Sequence, residues 1–239
     1  EGSESRRKFT DSVISQFNRN YLDDLINYNK ALSQRNALLK RFSESRNFEK
    51  ESLDIWNDQL MGYGKKIFSE RKKFVDAFIP TFQKYYELIS GGNEKVELEY
   101  ISQLNRNSFE EILENALQKD RVLQHSTAGI HKDDLQFTMD QFPVKKFGSQ
   151  GQQKSYLIAL KLAQFDFIKK IKGTTPILLL DDIHDRLDDK RVRQLMDLVS
   201  SEQFGQVFIT DTNALKIEAL FNEKKIALKM FRIKNGAIV

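Results

Sequence analysis

The sequence predicts an α/β protein with a helical arm, in which a mostly parallel sheet is flanked by helices and an antiparallel helical hairpin extends beside it. Two observations predict this class. Apolar residues recur at steps of three and four through residues 1–90, the spacing of helices that pack side by side. Beyond residue 92, short apolar runs alternate with helical patterns, which is typical of parallel strands joined by helices. We therefore expect a helical arm over residues 1–92 and an α/β domain over residues 93–239.

The arm is expected to fold back on itself as a hairpin. The polar link Ser43–Asn47 separates two apolar stripes. Pro80 should kink or end the second helix because proline has no backbone N–H to donate, and Gly91-Gly92 should stop it. The alternative arrangement is a set of helices that lie on a larger core.

Local patterns predict the elements of the second domain. Alternation over Lys95–Ile101 indicates a half-buried strand, and Ser108 with Glu111 resembles a capping box that opens a helix over 109–119. The wholly apolar run Ile177–Leu180 predicts a strand buried on both faces. Further strands are expected at 135–139, 144–147, 206–210, 226–233 and 237–239, and further helices at 151–172, 189–200 and 214–222.

Composition narrows the class of protein. The 239 residues contain 38 basic and 34 acidic side chains, and this mild excess permits nucleic-acid binding without arguing for it. There are no cysteines, which excludes disulfides and thiolate zinc sites and favours a reducing compartment. No apolar run is long enough to span a membrane, so a soluble, cytoplasmic protein is expected.

A glycine-bearing loop, Gly148–Lys154, precedes the long helix predicted at 151–172. Ser149 offers a hydroxyl, Gly151 allows a ligand to approach the backbone closely, and the positive end of the helix favours an anion. The loop therefore predicts a phosphate contact, with an ordinary serine cap as the alternative. A degenerate P-loop is disfavoured because Gln153 stands where the glycine beside phosphate is required, and the sequence has no complete Gly-x-x-x-x-Gly-Lys-Ser/Thr motif.

Two acids, Asp181 and Asp182, directly follow the predicted strand Ile177–Leu180. Ligands of open α/β sheets bind at the carboxyl ends of strands. Adjacent side chains of an extended chain point to opposite sides, so one acid can reach a magnesium ion while the other orients or deprotonates a water. The alternatives are acids that cap the following turn, and a metal nuclease, which would need further acids or histidines nearby.

Several motifs together resemble part of an ABC-type ATPase head of the kind found in SMC-like and RecF proteins. The signature motif, the Walker B motif and the D-loop would be Ser149–Gln153, Leu179–Asp182 and Leu187-Asp188. The RecF family is the closer match because it shows Ser-Gln-Gly-Gln-Gln and Asp-Asp at these motifs. Other stretches also resemble RecF sequences, so the likeness runs through nearly the whole chain: Arg6–Asp11, Tyr28–Lys40 and Gly129–Leu135.

The resemblance implies a site for ATP and Mg²⁺ that is completed by a second subunit. Asp181 would serve the magnesium ion, Asp182 would position or activate water, and Asp188 would cross the dimer interface. Asp211 occupies the position of the switch histidine of other ABC heads. The residues that would contact the ATP of the opposite subunit are Ser149, Gln150, Gly151, Gln152 and Gln153.

The Walker A half of such a head is absent from the sequence. The resemblance therefore implies a fragment that starts about a third of the way into a RecF protein and does not hydrolyse ATP alone. RecF proteins act in bacterial DNA replication, repair, recombination and the SOS response. The family binds double-stranded DNA at gaps, dimerises on ATP, and helps RecO and RecR load RecA. A different class of answer is a nucleotide-independent, SMC-like module that binds DNA or a partner protein.

The sequence singles out no individual DNA contact, and it assigns no chemical role to the histidines. His184 is expected to be structural, and a metal site at His131 beside Asp133 and Asp134 has little support. Solvated helix faces explain most of the basic residues of the arm. The candidates for phosphate contact are Arg6, Arg7, Lys8, Lys65, Lys66, Arg71, Lys72 and Lys73.

Overall fold

A computed structural model describes residues 2–212, 214–223 and 228–238. The chain forms two compact units, one made of Glu1–Gln83 with Lys95–Phe147 and the other of Lys84–Glu94 with Gly148–Val239. These units do not coincide with the expected boundary at residues 92 and 93, because the strands that follow the arm belong to the same unit as its helices. The division into an arm and a head stays a prediction.

Three helices open the chain, as the apolar stripe predicts. They are α1 (Ser3–Ser15), α2 (Arg19–Ser45) and α3 (Lys50–Ser90). Asn18 caps α2 by accepting a hydrogen bond from the Tyr21 N–H at 3.0 Å, and Arg46 ends it in the left-handed region.

Helices α2 and α3 form the expected antiparallel hairpin. Asn18 contacts Glu70, Arg35 contacts Asn57, and Leu39 and Phe42 pack with Leu53 near the link. Residue numbers fall along α3 as they rise along α2, which is the order of an antiparallel pair.

Helix α3 does not end at Pro80 but continues to Ser90. The residues on either side of the proline, Phe78 and Phe82, are fully buried. Their packing outweighs the loss of one backbone hydrogen bond. Gly91 and Gly92 then end the helix, both with positive φ angles of 77° and 79°.

The first unit also contains a three-stranded antiparallel sheet. Strand β1 (Val96–Ile101) pairs with β2 (Asp134–Met139) from Val96↔Met139 to Ile101↔Asp134, and β2 pairs with β3 (Phe142–Pro143). Helix α4 (Phe109–Leu123) lies between β1 and β2 in sequence and opens with the predicted capping box of Ser108 and Glu111. The strand expected at 144–147 is instead a short helix, α5 (Val144–Phe147).

The second unit holds the long helix α6 (Gln150–Lys172) and the two short parallel strands β4 (Leu178–Leu180) and β5 (Val207–Ile209). Helix α7 (Asp189–Val199) connects the strands and α8 (Ala214–Glu223) follows them. A hairpin of β6 (Ile233–Lys234) and β7 (Ala237–Ile238) comes last. The expected strands at 226–233 and 237–239 fall partly outside the described residues, and at 228–232 no strand is seen.

The prediction of a mostly parallel sheet is wrong for the described residues. Their sheets are small, and the only parallel pair is β4–β5. The order strand–helix–strand at β1, α4 and β2 resembles a parallel crossover in sequence, but the two strands pair antiparallel. A local pattern fixes the type of each element and not the direction in which strands pair.

Strand β4 is also not buried on both faces. Leu178 and Leu180 are buried, whereas Leu179 is 72% exposed and its cross-strand neighbour Phe208 is 47% exposed. The parallel pair therefore presents one apolar face without cover from the described residues of its own unit. None of the helices in the described part of the chain has both the length and the apolar composition needed to cross a bilayer.

Candidate functional site

Ser149 begins helix α6 as its N-cap. Its Oγ accepts a hydrogen bond from the Gln152 N–H at 3.2 Å, and the Gln152 side chain accepts one from the Ser149 N–H at 2.7 Å. The serine cap weighed as an alternative is thus present. In this cap the Ser149 hydroxyl acts only as an acceptor, so its proton can still be donated to a ligand. The N–H groups of Gln150 and Gly151, in the first turn of the helix, have no intrahelical partners. A phosphate contact remains open to all three groups.

Gly151 lies directly against the loop that follows strand β4. A Cβ atom placed on Gly151 would stand 3.1 Å from the carbonyl oxygen of Arg186, tighter than an ordinary van der Waals contact. Lys154, one turn further along α6, donates from Nζ to the Asp182 carbonyl oxygen at 3.3 Å. The structure therefore brings the glycine-bearing loop and the acid-bearing loop together within one unit.

Both acids after β4 are exposed, as a site for a ligand requires. The hydroxyl of Thr210 donates a hydrogen bond to Asp181 Oδ1 and accepts one from the Asp182 N–H at 3.1 Å. Within the described part of the chain, nothing hydrogen-bonds the Asp182 carboxylate. The two acids thus have different surroundings, as predicted, although Asp182 has a φ of 47° and the chain is not extended there.

His184 and Asp211 form a pair beside these acids. The Oδ2 atom of Asp211 accepts hydrogen bonds from the His184 N–H at 3.0 Å and from His184 Nδ1 at 2.8 Å. The Asp211 side chain is almost fully buried and the imidazole is mostly buried. His184 therefore anchors the loop, in line with the structural role expected for it.

Asp188 is the N-cap of helix α7. Its carboxylate accepts from the Arg191 N–H at 2.8 Å, and the Arg191 guanidinium lies 3.3 Å from Asp188 Oδ2. The side chain remains exposed to solvent although both of its oxygens face Arg191.

Glu94 links the two motif-bearing helices of the second unit, a role that sequence reasoning missed. It accepts hydrogen bonds from Gln152 at 2.9 Å, from Arg191 at 2.7 Å and from the Tyr86 hydroxyl. Burial acts to raise the pKa of Glu94, but these three hydrogen bonds outweigh it and lower the pKa below its usual value. A lone glutamate after Gly91-Gly92 carries no local signal, so only the fold reveals this contact.

Gln152 and Gln153 are less available to a ligand than the sequence suggests. The Gln152 amide donates to Glu94 and accepts from Ser149, while Gln153 Nε2 donates to the Gly148 carbonyl at 2.8 Å. Both amides hold the loop in shape. Contact with a nucleotide would require them to exchange one of these bonds.

The donor set fits magnesium held together with phosphate, and does not fit a metal held by protein alone. In the described residues no three acids or histidines converge on a metal position. Thr210 occupies Oδ1 of Asp181, which leaves Oδ2 for a cation. Magnesium is commonly bound through one or two carboxylates plus the phosphates of its substrate, and Asp181 with Asp182 can supply the carboxylates.

His131 lies in the first unit and is not a metal ligand. Its Nε2 donates to the Ser126 carbonyl at 3.1 Å, so Nδ1 is the acceptor of the Tyr28 hydroxyl at 2.9 Å. Both ring nitrogens are used, and burial lowers the pKa of His131 to about 4.

Several of the arm residues considered for phosphate contact are engaged within the first unit. Arg71 is only 2% exposed and its guanidinium binds Asp11, Asp133 and the Ile130 carbonyl, which leaves this candidate engaged inside the unit. Arg6 forms a two-bond pair with Asp134. Ion pairs or hydrogen bonds also engage Arg7, Lys8, Lys65, Lys66 and Lys73.

Comparisons with known proteins identify relatives of this chain. No protein-family model matches it. The DNA replication and repair protein RecF of Flavobacterium johnsoniae is 51% identical over 233 residues, covering 98% of this chain and 65% of that protein. The RecF of Phocaeicola vulgatus is 48% identical over 238 residues, covering 99% of this chain and 63% of that protein. The chain thus spans about 63–65% of the length of these relatives.

Solved structures agree with the sequence relatives. The recombination mediator protein RecF with ATP, from the RecFOR pathway, matches with a TM-score of 0.77 and 29% identity over 90% of this chain and 59% of that one. The same mediator with ATPrS matches with a TM-score of 0.79 and 27% identity over 100% of this chain and 63% of that one. Sequence and fold together show that the chain belongs to the RecF family of DNA replication and repair proteins.

Proposed function

We propose that this chain is the signature- and Walker B-bearing part of a RecF-type mediator of DNA repair and recombination. In the whole protein, two subunits associate head to tail on ATP, bind double-stranded DNA at gaps, and act with RecO and RecR to load RecA. The chain alone is inactive as an ATPase, because its sequence has no Walker A motif. The whole protein is a weak ATPase.

The observation that carries this proposal is the contact between the glycine-bearing loop and the acid-bearing loop in one unit. The carbonyl oxygen of Arg186, from the loop between the acids and Asp188, lies against Gly151, and Lys154 bonds the carbonyl of Asp182. These contacts lie within one chain and support the proposal because an ABC head presents its own signature loop and its own acid-bearing loop at the same dimer interface, where each faces the other subunit. An isolated serine cap and a pair of surface acids would not need to touch.

The exposed face of β4 and β5 favours this proposal over a nucleotide-independent module. A self-sufficient module should cover Leu179 and Phe208, which are instead exposed beside the acids. A further lobe that carries the phosphate-binding loop would cover such a face in the whole protein.

Each residue then has a distinct part in the chemistry. Bound Mg–ATP would supply the phosphates and the charge that complete the site. Ser149 and the N–H groups of Gln150 and Gly151 would donate to the terminal phosphate of the nucleotide held by the partner subunit. Asp181 would offer Oδ2 to the cation, and the unengaged carboxylate of Asp182 would orient the attacking water.

The experiment that tests this function compares the full-length protein with its Asp182→Asn variant, with and without gapped DNA. We expect slow, DNA-stimulated ATP hydrolysis that falls at least about 100-fold in Asp182→Asn, because the group that orients water is lost. ATP-dependent association should persist in the variant. A wild-type protein that binds DNA equally with and without ATP, and does not hydrolyse it, would favour the nucleotide-independent module.

A further inference from the structure

Thr210 is positioned to control both acids of the Walker B segment. It directly follows strand β5, and its N–H donates to the Leu180 carbonyl at 2.9 Å, which extends the parallel pairing to the end of β4. Its single hydroxyl proton goes to Asp181 Oδ1, since a carboxylate cannot donate, and its oxygen accepts from the Asp182 N–H. One hydroxyl therefore fixes a carboxylate oxygen of one acid and the backbone of the next.

Asp211, the residue after Thr210, holds the same loop at His184, two residues beyond Asp182. One of its carboxylate oxygens accepts from both the backbone and the ring of His184. Because the Asp211 side chain is only 3% exposed, water competes little for these bonds. The neighbours Thr210 and Asp211 thus bind three successive points of the acid-bearing loop, at Asp181, Asp182 and His184.

The loop needs such support because its backbone is not in a relaxed conformation. Asp182 has a φ of 47° and Arg186 a φ of 64°, in the left-handed region that residues with a Cβ rarely adopt. A strained segment persists only where the surrounding structure determines it. The hydrogen bonds made by Thr210 at the end of β5 hold the Asp182 backbone in this conformation.

We propose that Thr210 and Asp211 are positioning residues for the two acids, acting through the loop and not through the nucleotide. Thr210 would leave the remaining oxygen of Asp181 to a cation and holds the Asp182 backbone, while Asp211 holds the loop at His184, so that the Asp182 carboxylate would be available to a water. Asp211 stands at the position of the switch histidine, yet its observed partner is His184 in the same unit. This inference rests on the proposed function, because it assumes that the acids serve Mg–ATP.

The test uses the full-length protein and four variants. Thr210→Val keeps the shape and removes both hydrogen bonds, Thr210→Ser keeps the hydroxyl, Asp211→Ala removes the support of His184, and Thr174→Val is a matched control on an exposed threonine of the same unit. Hydrogen exchange of segment 181–187, measured by mass spectrometry without nucleotide, reports the loop directly. The Mg²⁺ concentration at half-maximal ATP turnover reports the acids.

We expect Thr210→Val and Asp211→Ala to lose protection of the Asp182 and His184 amides, respectively. For both, turnover or Mg²⁺ affinity should fall about 10- to 100-fold, the usual effect of removing a group that orients a metal ligand. Thr210→Ser should restore both readouts to near wild type, which a role in packing alone would not predict.

The outcomes separate this inference from the function on which it rests. If the wild-type protein hydrolyses ATP, Asp182→Asn does not, and Thr210→Val behaves like Thr174→Val in both readouts, the inference is overturned and the function stands. If the wild-type protein does not hydrolyse ATP under any condition, the proposed function fails first. Unchanged exchange elsewhere in each variant shows that it remains folded.

Discussion

Arg35 and Arg71 show that a basic residue of the arm can belong to its core and need not face solvent or DNA. Both are charged residues in the helices that carry the apolar stripes, and both are buried within the first unit. Arg35 binds Asp120 at 2.6 Å and Ser126 at 2.8 Å, while Arg71 binds Asp11 and Asp133. Removing one partner of such a pair typically costs about 3–5 kcal/mol because it leaves a buried charge.

The burial of these arginines could have been predicted from their phase. Each falls where the stripe requires a core residue, whereas exposed lysines such as Lys72 fall outside it. A basic residue in phase with the core indicates an internal ion pair and not a DNA contact. The identity of the acidic partners, more than fifty residues away in sequence, could not have been read from the local pattern.

His131 makes a residue-scale prediction about pH. Burial lowers its pKa from 6.5 to about 4, so the folded protein binds a proton there less readily than the unfolded chain. Stability from this group is therefore fully present above pH 6.5 and is lost as the pH falls toward 4. The loss should approach about 3 kcal/mol, since each pKa unit corresponds to about 1.4 kcal/mol.

Denaturant unfolding at a series of pH values measures this loss. His131→Gln should be less stable at pH 7 and should show a flatter dependence between pH 6.5 and 4. His125→Gln is the control, because that histidine is exposed and its variant should keep the wild-type slope. A wild-type slope in His131→Gln would contradict the assignment of a buried, neutral imidazole.

At the scale of elements, the helices and their ends were predictable while the sheets were not. The 3.6-residue period, the capping box at Ser108 and the stop at Gly91 are local signals, and the structure confirms each of them. Pairing direction depends on partners far away in sequence, as β1 and β2 show. Residues 144–147 were ambiguous because a four-residue apolar and basic run suits either a strand or one helical turn.

Two glycines in helix α3 make a prediction about packing between elements. Gly62 is exposed and has open space where a Cβ atom would stand, whereas a Cβ on Gly64 would lie 2.3 Å from the ring of Phe109 in α4. Gly62→Ala should stabilise the protein by about 0.5–1 kcal/mol through helix propensity. Gly64→Ala should destabilise it by about 1–3 kcal/mol because the buried Phe109 ring must shift.

Thermal and denaturant unfolding of the two variants, made in the same background, provides the measurement. Each variant is the control for the other, since both add one methyl group to the same helix two residues apart. Equal effects of the two substitutions would show that α3 and α4 do not pack closely at Gly64.

At the scale of the whole molecule, the motifs of the candidate site could be read from the sequence, whereas the residues that support them could not. The motifs Ser149–Gln153 and Asp181-Asp182 are contiguous in sequence, and the structure brings them into one unit with Asp188. Glu94 and Thr210 carry no motif, and they act through hydrogen bonds that join residues 28 to 97 positions apart. Such contacts exist only once the chain has folded.

We propose that ATP is hydrolysed between two subunits, with the signature motif of one facing the acids of the other. The most direct test mixes two full-length variants that are each inactive, Ser149→Arg in the signature motif and Asp182→Asn in the Walker B segment. In a mixed dimer, one of the two sites would combine an intact signature motif with intact acids.

We predict that mixing restores ATP hydrolysis to about a quarter of the wild-type rate, because about half of randomly formed dimers are mixed and each has one intact site. Mixing Asp182→Asn with a variant that carries both substitutions should restore nothing. If Ser149→Arg and Asp182→Asn stay inactive together while wild type is active and both variants are folded, the site is complete within one subunit and the account is wrong.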